Sequence, residues 1–177
     1  MLIIKLNNKN RLAGSIFSEV TKSKYNSTPD IDNVDDFKNL FLLIQRMIIG
    51  KDILAIHDIS DGGLITTLLE MCFTKKIGMN LNLSGVDKVI EYLFSEESGF
   101  VIQVKQKDVT KITTTFTEKG LVAREIGYLK NDIFSINKDG NELFNKSIIE
   151  IEKIWRETSH GIQSLRDNKE IADSELS

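Results

Sequence analysis

The stretch Ile53-Leu54-Ala55-Ile56-His57-Asp58-Ile59-Ser60-Asp61-Gly62-Gly63-Leu64-Ile65 runs from a short apolar segment through a polar turn with paired glycines into a helical pattern. Ile53 to Ile56 predicts a strand. Leu64, Ile65, Leu68, Leu69, Cys72 and Phe73 recur on one face and predict a helix. Lys75 and Lys76 follow at the end where the helix dipole favours cations, and Gly78 lies just beyond. A strand, a tight turn and a helix in immediate succession organise the rest of the reading.

Upstream, Val34, Phe37, Leu40, Phe41, Ile44, Met47 and Ile48 keep helical spacing, with Asp32 or Asn33 as the cap and Gly50 after the end. Ser23 to Asp32 is polar, holds the only proline, Pro29, and predicts a loop. Gly14 to Val20 starts a short helix. Leu2-Ile3-Ile4-Lys5-Leu6 predicts a strand, followed by a turn through Asn7, Asn8 and Asn10. Standing at the start of the chain, that strand is expected at a sheet edge with neighbours missing, and hence prone to self-association unless a partner covers it.

Downstream, Leu81 and Leu83 predict a strand, Val86 to Phe94 a helix, and Phe100, Ile102 and Val104 one face of another strand. Val109, Ile112 and Phe116 mark a helix stopped near Gly120. Val122 to Leu129 and Ile133 to Ile136 read as paired strands joined by Lys130-Asn131-Asp132. Ile148, Ile151, Ile154 and Trp155 form the stripe of a last helix. Strands mixed with helices of ten or more residues give an α+β class, a mixed or antiparallel sheet covered by helices. No internal repeat or low-complexity stretch interrupts it.

The 177 residues, 41% hydrophobic and 28% charged, suit a soluble globular domain of roughly 150 residues with a polar tail beyond His160. With 23 Lys plus Arg against 26 Asp plus Glu, the net charge of −3 offers no electrostatic footprint for nucleic acid or an anionic membrane. No apolar run reaches the ~20 residues of a membrane-spanning helix. The single cysteine, Cys72, excludes an internal disulfide framework and a cysteine-rich zinc site. A reducing, cytoplasmic setting is expected.

Chemical content concentrates in His57 to Gly63. A strand–helix junction exposes unpaired N–H groups and the positive end of a helix dipole, and adjacent glycines allow close backbone approach, which suits a phosphate. Asp58 and Asp61 add hard oxygen donors for magnesium. Ser60 either donates to a phosphate oxygen or caps the helix. The same residues also make a good turn and N-cap with no ligand at all. His57 reads as a partnered structural histidine, and Cys72, mid-helix, as a small buried hydrophobe and not a nucleophile. Ser95-Glu96-Glu97-Ser98-Gly99 reads as a solvated acidic turn, with a cation-facing turn as the alternative.

Ala55 to Leu64, continuing through Leu69-Glu70-Met71 to Gly78-Met79-Asn80-Leu81-Asn82-Leu83, resembles the phosphoribosylformylglycinamidine synthases (FGAM synthases). These are glutamine- and ATP-dependent ligases of purine biosynthesis. Arg11-Leu12-Ala13-Gly14-Ser15, Leu93 to Gly99, Gly120-Leu121, Ile126-Gly127 and Leu165 to Asp173 resemble further family segments in the same order. Ala13 departs from the family by replacing a glycine. The resemblance implies an AIR synthetase-like C-terminal domain from the second synthetase repeat of the long single-chain form. Residues 1–13 would end a preceding subdomain, 14–159 form the domain, and 160–177 link toward a glutaminase domain. It also implies Asp58 as a Mg2+ ligand and Ser60 as a nucleotide contact at an auxiliary ATP/ADP site. Asp61, Gly62 and Gly63 would shape the turn, and no catalytic residue is carried over. The remaining synthetase repeats and the glutaminase domain would be its partners, and the chain would be inactive alone. The alternatives are a non-catalytic remnant or assembly module of the same fold, or another enzyme of the AIR synthetase superfamily.

Overall fold

The computed structural model describes residues 1–166 and Asp173. The elements, in chain order, are β1 (Leu2–Lys5), α1 (Ile16–Thr21), α2 (Val34–Ile49), β2 (Ala55–Asp58), α3 (Gly63–Phe73), β3 (Gly78–Asn82), α4 (Val89–Phe94) and β4 (Gly99–Gln103). A 3₁₀ turn at Gln106–Asp108 precedes α5 (Val109–Thr117), β5 (Val122–Glu125), β6 (Gly127–Lys130), β7 (Ile133–Lys138), β8 (Asn141–Ser147) and α6 (Ile148–Arg166). They form two four-stranded sheets, ordered β2-β4-β1-β5 and β6-β3-β7-β8. The first is wholly antiparallel. The second is mixed, with β3 parallel to β7.

The run Leu2-Ile3-Ile4 is apolar on consecutive residues because both faces of its sheet are covered. Leu2 and Ile4 pack with Leu40, Ile44 and Met47 of α2 and with Ile112 and Phe116 of α5. Ile3, pointing the other way, joins Leu64 and Leu68 of α3 in a second core that also takes Met79, Leu81 and Phe134 from the other sheet. Each fully buried aliphatic side chain here contributes about 1.5–3 kcal/mol. At its start, α2 is held by Asn33, whose Oδ1 accepts from the amides of Asp35 and Asp36.

Several expectations need correction. β1 is not an edge strand: it pairs with β4 on one side and β5 on the other, so β2 and β5 are the edges. Residues 1–13, expected to close a preceding subdomain, thus supply an inner strand of this sheet, and Leu12 is buried as well. The Val122–Leu129 run is two strands in different sheets and does not pair with Ile133–Ile136. β5 pairs with β1 and β6 with β3, while β7 lies on the other side of β3. The switch falls at Ile126, whose N–H donates to Met1 O and whose carbonyl accepts from Asn82 N. β8, Asn-Glu-Leu-Phe-Asn-Lys-Ser, was not anticipated because it is polar and mostly exposed. α6 continues past His160 to Arg166, and most of the Leu165–Asp173 segment lies outside the described residues. Among the described residues no helix is long and apolar enough to cross a membrane.

Candidate functional site: the turn between β2 and α3

β2 delivers its last residue, Asp58, to the rim of the first sheet, opposite Phe100 of β4. Its side chain is 67% exposed. Next, Ile59 turns inward to the core and its N–H donates to Gly99 O at 2.9 Å. Ser60 and Asp61 then turn outward and are exposed. Gly62 and Gly63 take left-handed conformations, φ +83° and +73°, and α3 begins. At Gly63 a β-carbon would stand 2.6–2.9 Å from backbone atoms of Leu93, Phe94 and Ser95, so only glycine admits this close crossing.

Two amides of the expected cradle are already engaged. The Gly63 N–H donates to Ser60 O at 3.0 Å, and the Gly62 N–H donates to Glu96 Oε1 at 2.9 Å. Nor does Ser60 cap α3; the N-cap is Gly62, which has no side chain to do so. Thr67 Oγ1 secures the turn from within the helix, its one hydroxyl proton shared between Asp58 O at 3.1 Å and Gly63 O at 3.2 Å. What the turn presents outward is side chains: the Asp58 carboxylate, the Ser60 hydroxyl and the Asp61 carboxylate. Among the described residues, Ser60 and Asp61 engage no hydrogen-bond partner through their side chains, and Asp58 has only the His57 ring beside it.

His57 is partnered, as expected. Its Nδ1 donates to Asp58 O at 2.7 Å and lies 3.4 Å from Asp58 Oδ1, while Nε2 lies 3.3 Å from Glu70 Oε2. The ring also lines a cavity of about 550 Å³ between β2, the later turns of α3 and Leu129, which none of Asp58, Ser60 and Asp61 lines. Cys72 is buried and burial pushes its thiol up to about 12, which rules out a nucleophilic thiolate near neutral pH. At the end of α6, His160 has Asp173 Oδ1 at 2.9 Å and Ser164 Oγ at 3.4 Å, both on Nε2. A Ser-His-Asp relay needs the two ring nitrogens to serve different partners, so this grouping is not one.

The acidic turn expected to be solvated is instead built into the structure. Glu97 is 2% exposed, and Arg11 grips it with two donors, Nε to Oε1 at 2.5 Å and Nη2 to Oε2 at 2.7 Å. The Arg11 guanidinium is held protonated far above neutrality, chiefly by that hydrogen bonding. It also reaches Asp32, whose carboxyl the Lys9 hydrogen bond, with Arg11 assisting, holds below the usual carboxylate range. Lys5, buried nearby, donates to Lys9 O and Asn10 Oδ1; burial pushes its ammonium down to about 8, with Glu97 opposing. Sequence reasoning missed these residues because Arg11 and Glu97 are 86 positions apart. The signal available was that the two segments carrying them both matched the same family. Ala13, the departure from it, fits without strain: it is not among the residues with positive φ.

A family model described as AIR synthase related protein, C-terminal domain, matches residues 1–136. The chain belongs to that family. Its α+β class with a mixed sheet, expected from the residues, is the family's own. Phosphoribosylformylglycinamidine synthase of Schizosaccharomyces pombe is 37% identical to this AIR synthase related chain in an alignment 176 residues long that covers 96% of the chain and 13% of that protein. The chain therefore spans about an eighth of the length of the curated relative it matches. PurLQS from Thermotoga maritima has a similar fold, with a TM-score of 0.62 at 12% identity over 83% of this chain and 24% of that one. PurL of the same organism complexed with ATP gives 0.60 at 12% identity, over 68% and 23% respectively.

Proposed function

We propose that this AIR synthase related domain is one part of a phosphoribosylformylglycinamidine synthase. That ligase converts formylglycinamide ribonucleotide, glutamine, ATP and water into formylglycinamidine ribonucleotide, glutamate, ADP and phosphate. The chain supplies one wall of an auxiliary nucleotide site, with Asp58 as a magnesium ligand and Ser60 as a hydrogen-bond donor to the nucleotide. Asp61, Gly62 and Gly63 shape the turn between them. The remaining synthetase repeats and the glutaminase domain are its partners.

The observation that carries this reading is a contrast within one turn. The Gly62 and Gly63 amides are bonded within the fold, yet the Asp58 and Ser60 side chains stand exposed, in a chain 37% identical to such a synthase. A hard, anionic oxygen suits magnesium, which takes one or two carboxylates plus phosphate oxygens. Among the described residues no group of three or more His, Cys, Asp or Glu side chains is placed to hold a metal. Asp58 is thus one ligand of a set completed from elsewhere, by the nucleotide and by partner segments. When bound, the ion neutralises charge on the phosphate oxygens. The chain's own contribution is to hold one carboxylate and one hydroxyl on a rigid turn.

Two measurements test the proposal. In the complete synthetase carrying this chain, ADP binding should depend on magnesium and fall at least tenfold in Asp58→Ala with no change in melting. Binding indifferent to both the ion and Asp58 would sink the site assignment. The isolated 177-residue chain should release no ADP with ammonia as nitrogen donor, and robust turnover would refute the view that it is only a part.

A further inference from the structure

Glu96 is half-buried and holds an unusual post. Its Oε1 accepts from the Gly62 amide and from the Ile16 amide, each at 2.9 Å. Gly62 is the N-cap of α3 and Ile16 the first residue of α1, so one carboxylate oxygen meets the positive ends of two helices. The carboxylate is aimed by its neighbours. Arg11 clamps Glu97, the next residue, through the Nε–Nη2 edge of its guanidinium, and Ser95 Oγ, on the other side, donates to Arg11 O at 3.1 Å. The backbone of Leu93 to Ser95 in turn lies against Gly63. Segments 11–16, 58–63 and 93–97 are thereby locked together, with Glu96 at their junction.

The placement matters for what the turn presents. Most helices are capped by a Ser, Thr, Asp or Asn at the N-cap itself. Here that position is a glycine in a left-handed conformation, and the capping oxygen comes from a residue 34 positions later. An Asp at position 62 would be strained at φ +83° and would set a second negative charge between Asp61 and the helix. Capping from the inner side by Glu96 leaves the outer side to Asp58 and Ser60.

We infer that Glu96 is a positioning residue: it fixes the conformation of the Asp58–Gly63 turn from behind and so sets where Asp58 and Ser60 stand, without itself touching nucleotide. This rests on the reading of that turn as a magnesium–nucleotide site. The test uses Glu96→Ala, Glu96→Gln and Asp58→Ala in the complete synthetase, titrated with Mg2+ and ADP well below the melting range. Amide hydrogen exchange of Gly62 and Ile16 is followed in parallel. In Glu96→Ala both amides should exchange faster and ADP affinity should fall about tenfold or more, the loss of a charge-assisted bond pair. Glu96→Gln keeps an acceptor oxygen and should restore affinity to within about threefold of the parent. If Glu96→Ala binds ADP as tightly as the parent, Glu96 serves only the fold and the inference falls. If it binds more tightly, the carboxylate competes with phosphate for the amides and the inference falls in the opposite sense. Affinity unaffected by Asp58→Ala overturns the reading of the site itself, whereas affinity lost there but kept in Glu96→Ala overturns only the positioning role.

Discussion

The inner and outer sides of the Asp58–Gly63 turn differ in how their polar groups are spent. On the inner side Glu96 holds two amides, Glu97 is clamped by Arg11, Lys5 is satisfied by Lys9 and Asn10, and the Gly63 backbone crosses Leu93–Ser95 at contact distance. On the outer side Asp58, Ser60 and Asp61 remain open to solvent. A buried ion pair adds little net stability over an apolar pair of the same shape, but it tolerates the loss of neither partner, so it makes a stiff frame. A ligand site needs the reverse, donors and acceptors still available for exchange with a newcomer. Charge locked behind the turn and charge left free in front of it are two parts of one arrangement.

The sharpest way to break this comparison is Arg11→Met. It leaves Glu97 buried with no hydrogen-bonded cation, only the Coulombic pull of Lys5, and should cost about 3–5 kcal/mol in urea denaturation. A loss under about 1 kcal/mol would mean the inner charges are no more committed than the outer ones. Gly63→Ala comes next, at about 2–4 kcal/mol, since backbone strain and overlap with the Leu93–Ser95 backbone act together. The same change at Gly62 meets only the Thr66 side chain and no backbone, and should cost less, about 1–2 kcal/mol.

A pH series sharpens the contrast further. The ammonium of Lys5 ionises near 8 in the folded chain against 10.5 ordinarily. Between those values the unfolded chain binds more protons, so stability contributed by this group rises with pH. Cys72 works the other way, because its folded value near 12 lies above the usual 9.0 and stability is lost as the unfolded thiol ionises. Tyr92, also raised by burial, adds to that loss at higher pH. Comparison with Lys5→Met cancels Cys72, Tyr92 and the Met1 amine, and between pH 8 and 9 the parent should gain about 1 kcal/mol relative to that variant. No relative gain there would show that Lys5 is solvated. The smallest effect belongs to the outer side: Asp58→Ala should change the unfolding free energy by less than about 0.5 kcal/mol.

Much of the local structure was legible in the residues. The spacing of Leu40, Ile44 and Met47 located α2, the apolar run of Leu2 to Ile4 identified a strand, and the paired glycines marked the turn before α3. Each depends on neighbours within a few positions. The place of β1 was not legible, because an apolar run reports that both faces are covered without saying which strands flank it. The polar β8 left no apolar alternation to read. The Val122–Leu129 run concealed a change of sheet at Ile126, which only the partners Met1 and Asn82 reveal.

The candidate site divides along the same line. The turn, its glycines and the residue types offered to a ligand could be read from the residues, because these follow from backbone conformation and side-chain chemistry at adjacent positions. Which carboxylates are free depends on contacts between segments far apart in the chain. Asp58 and Glu97 are equally acidic on paper, and what separates them is that the chain folds Arg11 onto one and leaves the other facing water.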